Sequence, residues 1–418
     1  MTTLFTTTST PVLVTKLMVK EAYRKVKSNH GSAGVDGESL LQFEANLLPN
    51  LYKLWNRMNS GSYFPQPVKE VIIPKANGGK RNLGIPTVTD RIAQEVVKTY
   101  LEPRLEAIFS GNSYGYRPSK SAHQALAQVQ RNVREYAWVV DMDIKSFFDE
   151  VNHTLLQKAV SKHVPEAWIK RYISRWLTSG VLTANGTLVS TSGQGTPQGG
   201  VISPLLANLF LHYVLDKWLA SRYPTLAFVR YADDVLVHCH SEAQSLEVLQ
   251  AIQERLQSCK LRLNESKTKI VYCQDYRREV RRDYGKKFDF LGFTFKPRSM
   301  ASKTGRSMFL GFGCAISQQS QSRIIQGWSA QGFATQSQLS LQGIAQGLNA
   351  QLRGIVRYYG YFKVRPLQTL FRNLELKLVK WLRSKYKERS YSRAYVRLAR
   401  VKLSYPMLFY HWQFFGGL

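Results

Sequence analysis

Acidic residues are scarce in this chain. Its 418 residues hold 28 Asp and Glu against 58 Lys and Arg, a formal net charge of +30. A surplus of that size repels itself unless a polyanion lies close by, which points to nucleic acid ahead of an anionic membrane surface. Cysteine is scarcer still. Cys239, Cys259, Cys273 and Cys314 stand far apart, with no CxxC spacing and no paired His. That excludes a disulfide framework and a structural zinc site as expectations and leaves free thiols in a reducing compartment. No apolar run approaches the roughly 20 residues of a membrane span, and the Thr-rich, uncharged start Met1–Thr10 lacks the pattern of a signal peptide. The expectation is a soluble intracellular protein of two or three domains.

The acidic residues that are present lie mostly upstream. Residues 301–418 contain 18 Lys or Arg against only Glu375 and Glu388, a net +16. Upstream, Phe228-Val229-Arg230-Tyr231-Ala232-Asp233-Asp234-Val235-Leu236-Val237 reads as a β-hairpin whose tight turn carries two adjacent carboxylates. Adjacent carboxylates between apolar strands repel each other, and a divalent cation at the turn would neutralise both. A solvated Asp turn is the other reading open to the residues alone. Residues 137–143 form a second strand that puts Asp141 and Asp143 on one face near its C-terminal end.

The remaining chain alternates helices, strands and turns. Helices are expected over 16–27, 40–59, 90–109 (broken at Pro103), 119–136 (capped by Ser119), 149–163, 201–219 and 241–258. The strand 68–74 leads into Asn77-Gly78-Gly79, a hairpin turn flanked by Lys75, Lys80 and Arg81, which suits either a phosphate grip or a solvated tip. Gln194-Gly195-Thr196-Pro197-Gln198-Gly199-Gly200 is a sharp loop that lets a ligand approach the backbone. Residues 274–287 read as a solvated charged loop. Residues 288–295 read as a strand closing the sheet of the Asp hairpin, and 296–340 as a linker with one short helix. Two amphipathic helices follow, over 348–362 and 367–382. Their polar sides carry Arg353 and Arg357, then Lys377, Lys380 and Arg383, as basic ridges.

Seven segments, in order, resemble the reverse transcriptases encoded by group II introns: Ala33-Gly-Val-Asp-Gly37, Lys80-Arg-Asn-Leu-Gly-Ile-Pro86, Tyr114-Gly-Tyr-Arg-Pro118, Asp143-Ile-Lys-Ser-Phe-Phe-Asp149, Gly195-Thr-Pro-Gln-Gly-Gly200, Tyr231-Ala-Asp-Asp234 and Phe290-Leu-Gly-Phe293. The basic region around 348–362 resembles that family's thumb, or maturase, domain. The resemblance implies an α+β, right-hand polymerase: an N-terminal extension (1–40), fingers (41–136), palm (137–300), thumb/maturase domain (301–385) and a basic DNA-binding segment (386–418).

By the same resemblance Asp143, Asp233 and Asp234 are the catalytic carboxylates, and with Ile144 they hold two Mg²⁺ ions roughly 3.5–4 Å apart. Lys75, Arg81, Ile144, Phe148, Gln198 and Lys267 contact the nucleotide, Phe148 by leaving no room for a 2′-hydroxyl. Arg117, Arg353, Arg357, Lys377, Lys380 and Arg383 face RNA or DNA. Asp141 and Asp149 fall outside the pattern and read as structural, as do His30 and His153. The implied partners are group II intron RNA, target DNA, an RNA template with a DNA primer, and deoxynucleoside triphosphates, with no membrane. The implied setting is the cytoplasm, with nucleoid association on DNA. The Cys clusters of an appended endonuclease are missing, so no endonuclease activity is expected. A host-adopted reverse transcriptase in defence or repair would share these motifs. So would a splicing chaperone with a dead core, although the intact carboxylates speak against that one.

Overall fold

The computed structural model describes residues 14–74, 79–281, 283–302, 307–388 and 390–415, with nothing of the Lys80 side chain. The strands are β1 Val68–Pro74, β2 Lys80–Ile85, β3 Trp138–Asp143, β4 Val181–Leu182, β5 Leu188–Val189, β6 Ala227–Tyr231, β7 Asp234–Cys239, β8 Lys269–Tyr272, β9 Phe288–Phe290, β10 Phe293–Ala301 and β11 Met308–Ile316. Helices between and after them make the fold α+β, as expected. The chain divides into two compact units, Met1–Ala125 with Val140–Ile270, and Leu126–Val139 with Val271–Leu418.

In the first unit, Thr15 caps the helix Lys16–Ser28 by accepting from the Met18 amide at 3.1 Å. The helix Val88–Glu106 is buried on nearly every side over its first half, residues 88–97. It continues past Pro103 for only three more residues, to Glu106, although proline there forfeits the hydrogen bond to the Thr99 carbonyl. One sheet has the order β2-β1-β4-β5, antiparallel except for the β1–β4 pair. A second has the order β6-β7-β3-β8. The expected helix over 201–219 is three consecutive pieces: Ser203–Leu211, a π-helical turn His212–Asp216, and Lys217–Arg222.

Several expectations are corrected. The helix after the Tyr114–Pro118 turn begins at Ala122 and is capped by Ser121, whose hydroxyl accepts from the Gln124 amide. Ser119 instead adopts a left-handed conformation, φ 59°. In the second unit, β9 and β10 join β11 in a separate three-stranded sheet, order β11-β10-β9. The stretch 296–340 is therefore no linker. Nine residue pairs couple β10 to β11, and the 13-residue helix Gln318–Ala330 follows. The Ser, Gln and Gly content hid the continuation of the strand expected over 288–295 into Lys296–Ala301, which pairs with Met308–Gly313. The charged loop 274–287 is partly interior too, since Asp275 is buried and ion-paired to Arg277 at 2.7 Å.

The two basic helices are Leu341–Tyr359 and Gln368–Tyr386, and a third, Tyr391–Ser404, packs on the second. Glu375 ties this region together from inside. It accepts from Lys402 Nζ at 2.9 Å, His411 Nε2 at 2.8 Å and Trp412 Nε1 at 2.8 Å. Residues 390–415 thus continue the packed fold of the helices before them, because a buried ion cluster joins them.

Candidate active site

The hairpin forms as its residues require. Phe228, Val229, Val235, Leu236 and Val237 are buried, and β6 pairs antiparallel with β7 up to Tyr231↔Asp234. The loop between the strands is Ala232-Asp233, with Ala232 left-handed at φ 57°. Asp233 therefore sits at the turn and Asp234 opens β7. Gly115 belongs to this construction, because a Cβ there would lie 2.5 Å from the Ala232 amide nitrogen.

Asp143 ends β3. The segment 261–268 runs beside it: the Asn264 amide donates to the Asp143 carbonyl at 2.8 Å, and the Lys145 amide donates to the Arg262 carbonyl at 2.9 Å. The Asp143 carboxylate accepts from Asn264 Nδ2 at 2.9 Å and from Lys267 Nζ at 3.0 Å. Asp141 pairs with Lys269 at 3.5 Å. Ile144 is buried and bridges to Leu263.

The fold brings Asp143, Asp233 and Asp234 close enough for their charges to couple. Asp234 opens onto solvent from a recess of protein atoms. That recess, followed by the charges of Asp233, Asp143 and Asp141, pushes its carboxyl up to about 7. Burial raises Asp233 as well, and Asp143 adds to it, while Arg81 and Lys267 work against the rise. Among the described residues no three His, Cys, Asp or Glu side chains are gathered tightly enough to enclose an ion; Lys267 and Asn264 hold one Asp143 oxygen. The donor set is nevertheless what a hard divalent cation takes: carboxylate oxygens only, with negative charge that nearby cations offset incompletely.

A cavity of about 350 Å³ adjoins the loop 194–200, with Phe148, Gln198, Leu83 and Gly84 in its wall. The loop is tied down at both sides. The Thr196 amide donates to the Phe148 carbonyl at 2.7 Å, and the Gly84 amide donates to the Gln198 carbonyl at 2.6 Å. At Gly199, φ is 115° and a Cβ would meet the Gly84 carbonyl at 2.6 Å, so only glycine fits. Phe147 is buried, leaving Phe148 half-exposed at the cavity. His153 donates from Nε2 to the Gly195 carbonyl, 2.6 Å away. Arg81 is exposed on β2, whereas Lys75 lies outside the described residues.

The expected nucleic-acid contacts divide. Arg353, Arg357 and Lys380 are exposed. Lys377 donates to the Ser329 hydroxyl at 2.7 Å, and Arg383 stacks over Tyr391 at 4.2 Å. Arg117 is a correction. Its guanidinium is buried, paired with Glu106 at 2.9 Å, and donates to the carbonyls of Ser110 and Ser113. Those donors hold the chain's own turn and are not available to nucleic acid. Sequence reasoning missed Asn264, which fixes Asp143, and Asp216 and Asn208, which reach the hairpin through Arg230. The available signal was an Arg inside an apolar strand.

Comparison with known proteins identifies the family of the chain. Residues 73–295, more than half of the chain, match the reverse transcriptase (RNA-dependent DNA polymerase) family. Residues 333–399 match the group II intron maturase-specific domain. Protein YkfC of Escherichia coli is 35% identical over 299 residues, 61% of this chain and 77% of that protein. The group II intron-encoded protein LtrA of Lactococcus lactis is 36% identical over 201 residues, 47% of this chain and 33% of LtrA. A solved telomerase of Candida albicans aligns with 85% of this chain and 66% of its own at 13% identity, with a TM-score of 0.45. Among the described residues no helix is long and apolar enough to cross a membrane. With both domain matches in one chain and a relative matched over most of its length, this protein belongs to the reverse transcriptases of the group II intron maturase kind.

Proposed function

We propose that the chain copies a group II intron RNA into DNA during retrohoming at the carboxylate cluster Asp143, Asp233 and Asp234, and promotes splicing of that RNA by binding it. The observation that supports the reading is that β3, which ends in Asp143, lies beside β7, which opens with Asp234 directly after the turn residue Asp233. With Ile144 beside them they would hold two Mg²⁺ ions. Such ions supply Lewis acidity to the primer 3′-hydroxyl and to the departing pyrophosphate.

The other roles fall to the chain's own groups. Arg81, whose charge reaches Asp233, grips the triphosphate, and Lys75 joins it on sequence grounds. Lys267, on an oxygen of Asp143, places a positive charge where the polyphosphate would lie. Phe148 and Gln198, in one cavity wall, bound the sugar of a deoxynucleoside triphosphate, and the ring excludes a 2′-hydroxyl. Arg353, Arg357, Lys380 and, at the edge, Lys377 and Arg383 meet the phosphates of intron RNA, of the template–primer duplex and of target DNA. In domain terms the fingers span 41–136, the palm 137–300 and the thumb 301–385. Residues 1–40 precede them, and 386–418 extend the thumb toward DNA. The work is cytoplasmic, with nucleoid association on DNA. Residues 1–418 carry no endonuclease chemistry of their own, given four buried, widely spaced cysteines.

Primer extension on an RNA template with Mg²⁺ tests this. The purified protein incorporates deoxynucleotides, and Asp233→Ala loses at least ~10³-fold in rate with RNA affinity retained. A clean preparation that incorporates nothing overturns the reading in favour of a splicing chaperone.

A further inference from the structure

Arg230 lies one residue before the turn's Tyr231-Ala232-Asp233, with a side chain that is 0% exposed. Its Nε and Nη2 donate to the two oxygens of Asp216 at 2.7 and 2.6 Å. Its Nη1 donates to Asn208 Oδ1 at 2.9 Å and to the Ala232 carbonyl at 3.1 Å. Asn208 in turn donates from Nδ2 to the Gly115 carbonyl at 2.8 Å. The Arg230 backbone is also engaged, with its amide on the Asn112 carbonyl at 2.9 Å and its carbonyl accepting from Tyr114 at 2.8 Å. Arg230, through its side chain, its backbone and its partner Asn208, thus links the helix Ser203–Leu211, the turn 112–115 and the peptide that precedes Asp233.

The helix carries a π-helical turn at this contact. Asn208 and Asp216 are eight residues apart, whereas two α-helical turns take about 7.2. The wider π-helical turn His212–Asp216 takes up the excess, so that both side chains meet one guanidinium. For stability alone, an apolar core would serve as well as a buried ion pair. An apolar side chain could not hold the Ala232 carbonyl, and Ala232 is in a left-handed conformation that a non-glycine residue keeps only when its surroundings impose it.

We infer that Arg230, braced by Asp216 and Asn208, is the positioning residue that fixes the Ala232-Asp233 turn in its catalytic geometry. This rests on Asp233 acting in the reaction, and the two claims fail separately. An active Asp233→Ala removes the reading of the site, whereas the Arg230 result leaves that reading intact. The test uses Arg230→Lys, which keeps a charge for Asp216 but not the forked donors, and Asn208→Ala, which leaves the ion pair whole. Steady-state primer extension, RNA binding and thermal melting are measured on each full-length variant. The expected result for Arg230→Lys is a kcat lower by about 10²-fold, with KM for the deoxynucleotide and RNA affinity unchanged and a single melting transition retained. Asn208→Ala shows a smaller fall of the same kind. A folded variant with wild-type kcat overturns the inference. So does a parallel loss of kcat, RNA affinity and melting temperature, which marks a purely structural role. If Arg230→Lys does not fold, Asn208→Ala decides by the same readouts.

Discussion

Two carboxylates, the solvent-open Asp234 in one compact unit and the buried Glu375 in the other, have pKa values shifted in opposite directions. Desolvation by the surrounding protein atoms, and then the charges of Asp233, Asp143 and Asp141, push Asp234 up to about 7. Burial would also raise Glu375, but the His411 hydrogen bond and the Lys402 charge outweigh it and hold that carboxyl below its ordinary value. Lys402 and His411 belong to the same packed region, so Glu375 is neutralised from within and serves as architecture. Asp234 sits among like charges that Lys267 only partly offsets. Crowded, under-neutralised carboxylates mark a site built for a charge that arrives from outside.

The comparison breaks first at its two poles. Glu375→Ala leaves Lys402 buried without its partner and should cost about 3–5 kcal/mol, read by denaturant unfolding. Asp233→Ala, by contrast, should remove synthesis while leaving the unfolding midpoint no lower than wild type. A wild-type midpoint for Glu375→Ala would end the architectural reading. Next in size, Phe148→Ala opens the cavity wall beside Gln198. Incorporation of ribonucleotides relative to deoxynucleotides should rise by roughly 10-fold or more, measured in competition; an unchanged ratio would move the sugar contact elsewhere.

A smaller effect sharpens the contrast through pH. Because the folded pKa of Asp234 is raised from 3.8 to about 7, the folded chain binds this proton more tightly than the unfolded chain between those values. Its contribution to stability is therefore present below 3.8 and declines as pH rises toward 7. Without divalent cations, Asp234→Asn should melt above wild type at pH 8 and level with it near pH 4, and Mg²⁺ should close the gap at pH 8. Glu375 runs the other way. Its lowered pKa contributes stability above the unfolded value, and that contribution is lost as pH falls through the folded one. Smallest of all, Arg353→Gln and Arg357→Gln should each reduce the salt slope of RNA binding by about 1, with DNA synthesis at low salt unchanged.

The divided nucleic-acid assignments show why part of the site was hidden from sequence. Arg117 and Arg353 look alike as residues in a basic chain. One has its donors spent on Glu106, Ser110 and Ser113, and the other is exposed over Tyr410. Which of these holds depends on neighbours brought in by folding. The linker expected over 296–340 failed for a related reason: its strand pairing lies between β10 and β11, and composition does not report pairing.

What the sequence determined by itself was local. The apolar alternation around Asp233 and Asp234 made the hairpin, Thr15 began the helix Lys16–Ser28, and glycine at 199 permitted a turn closed to any other residue. Only the tertiary structure decided that Asp143, ninety residues upstream, shares its field with that hairpin, that Asn264 and Lys267 hold it, and that Arg230 reaches Asp216 across a π-helical turn. Periodicity and turn chemistry act over a few residues of chain, whereas charge coupling and buried hydrogen bonds depend on distances that exist only after the chain has folded.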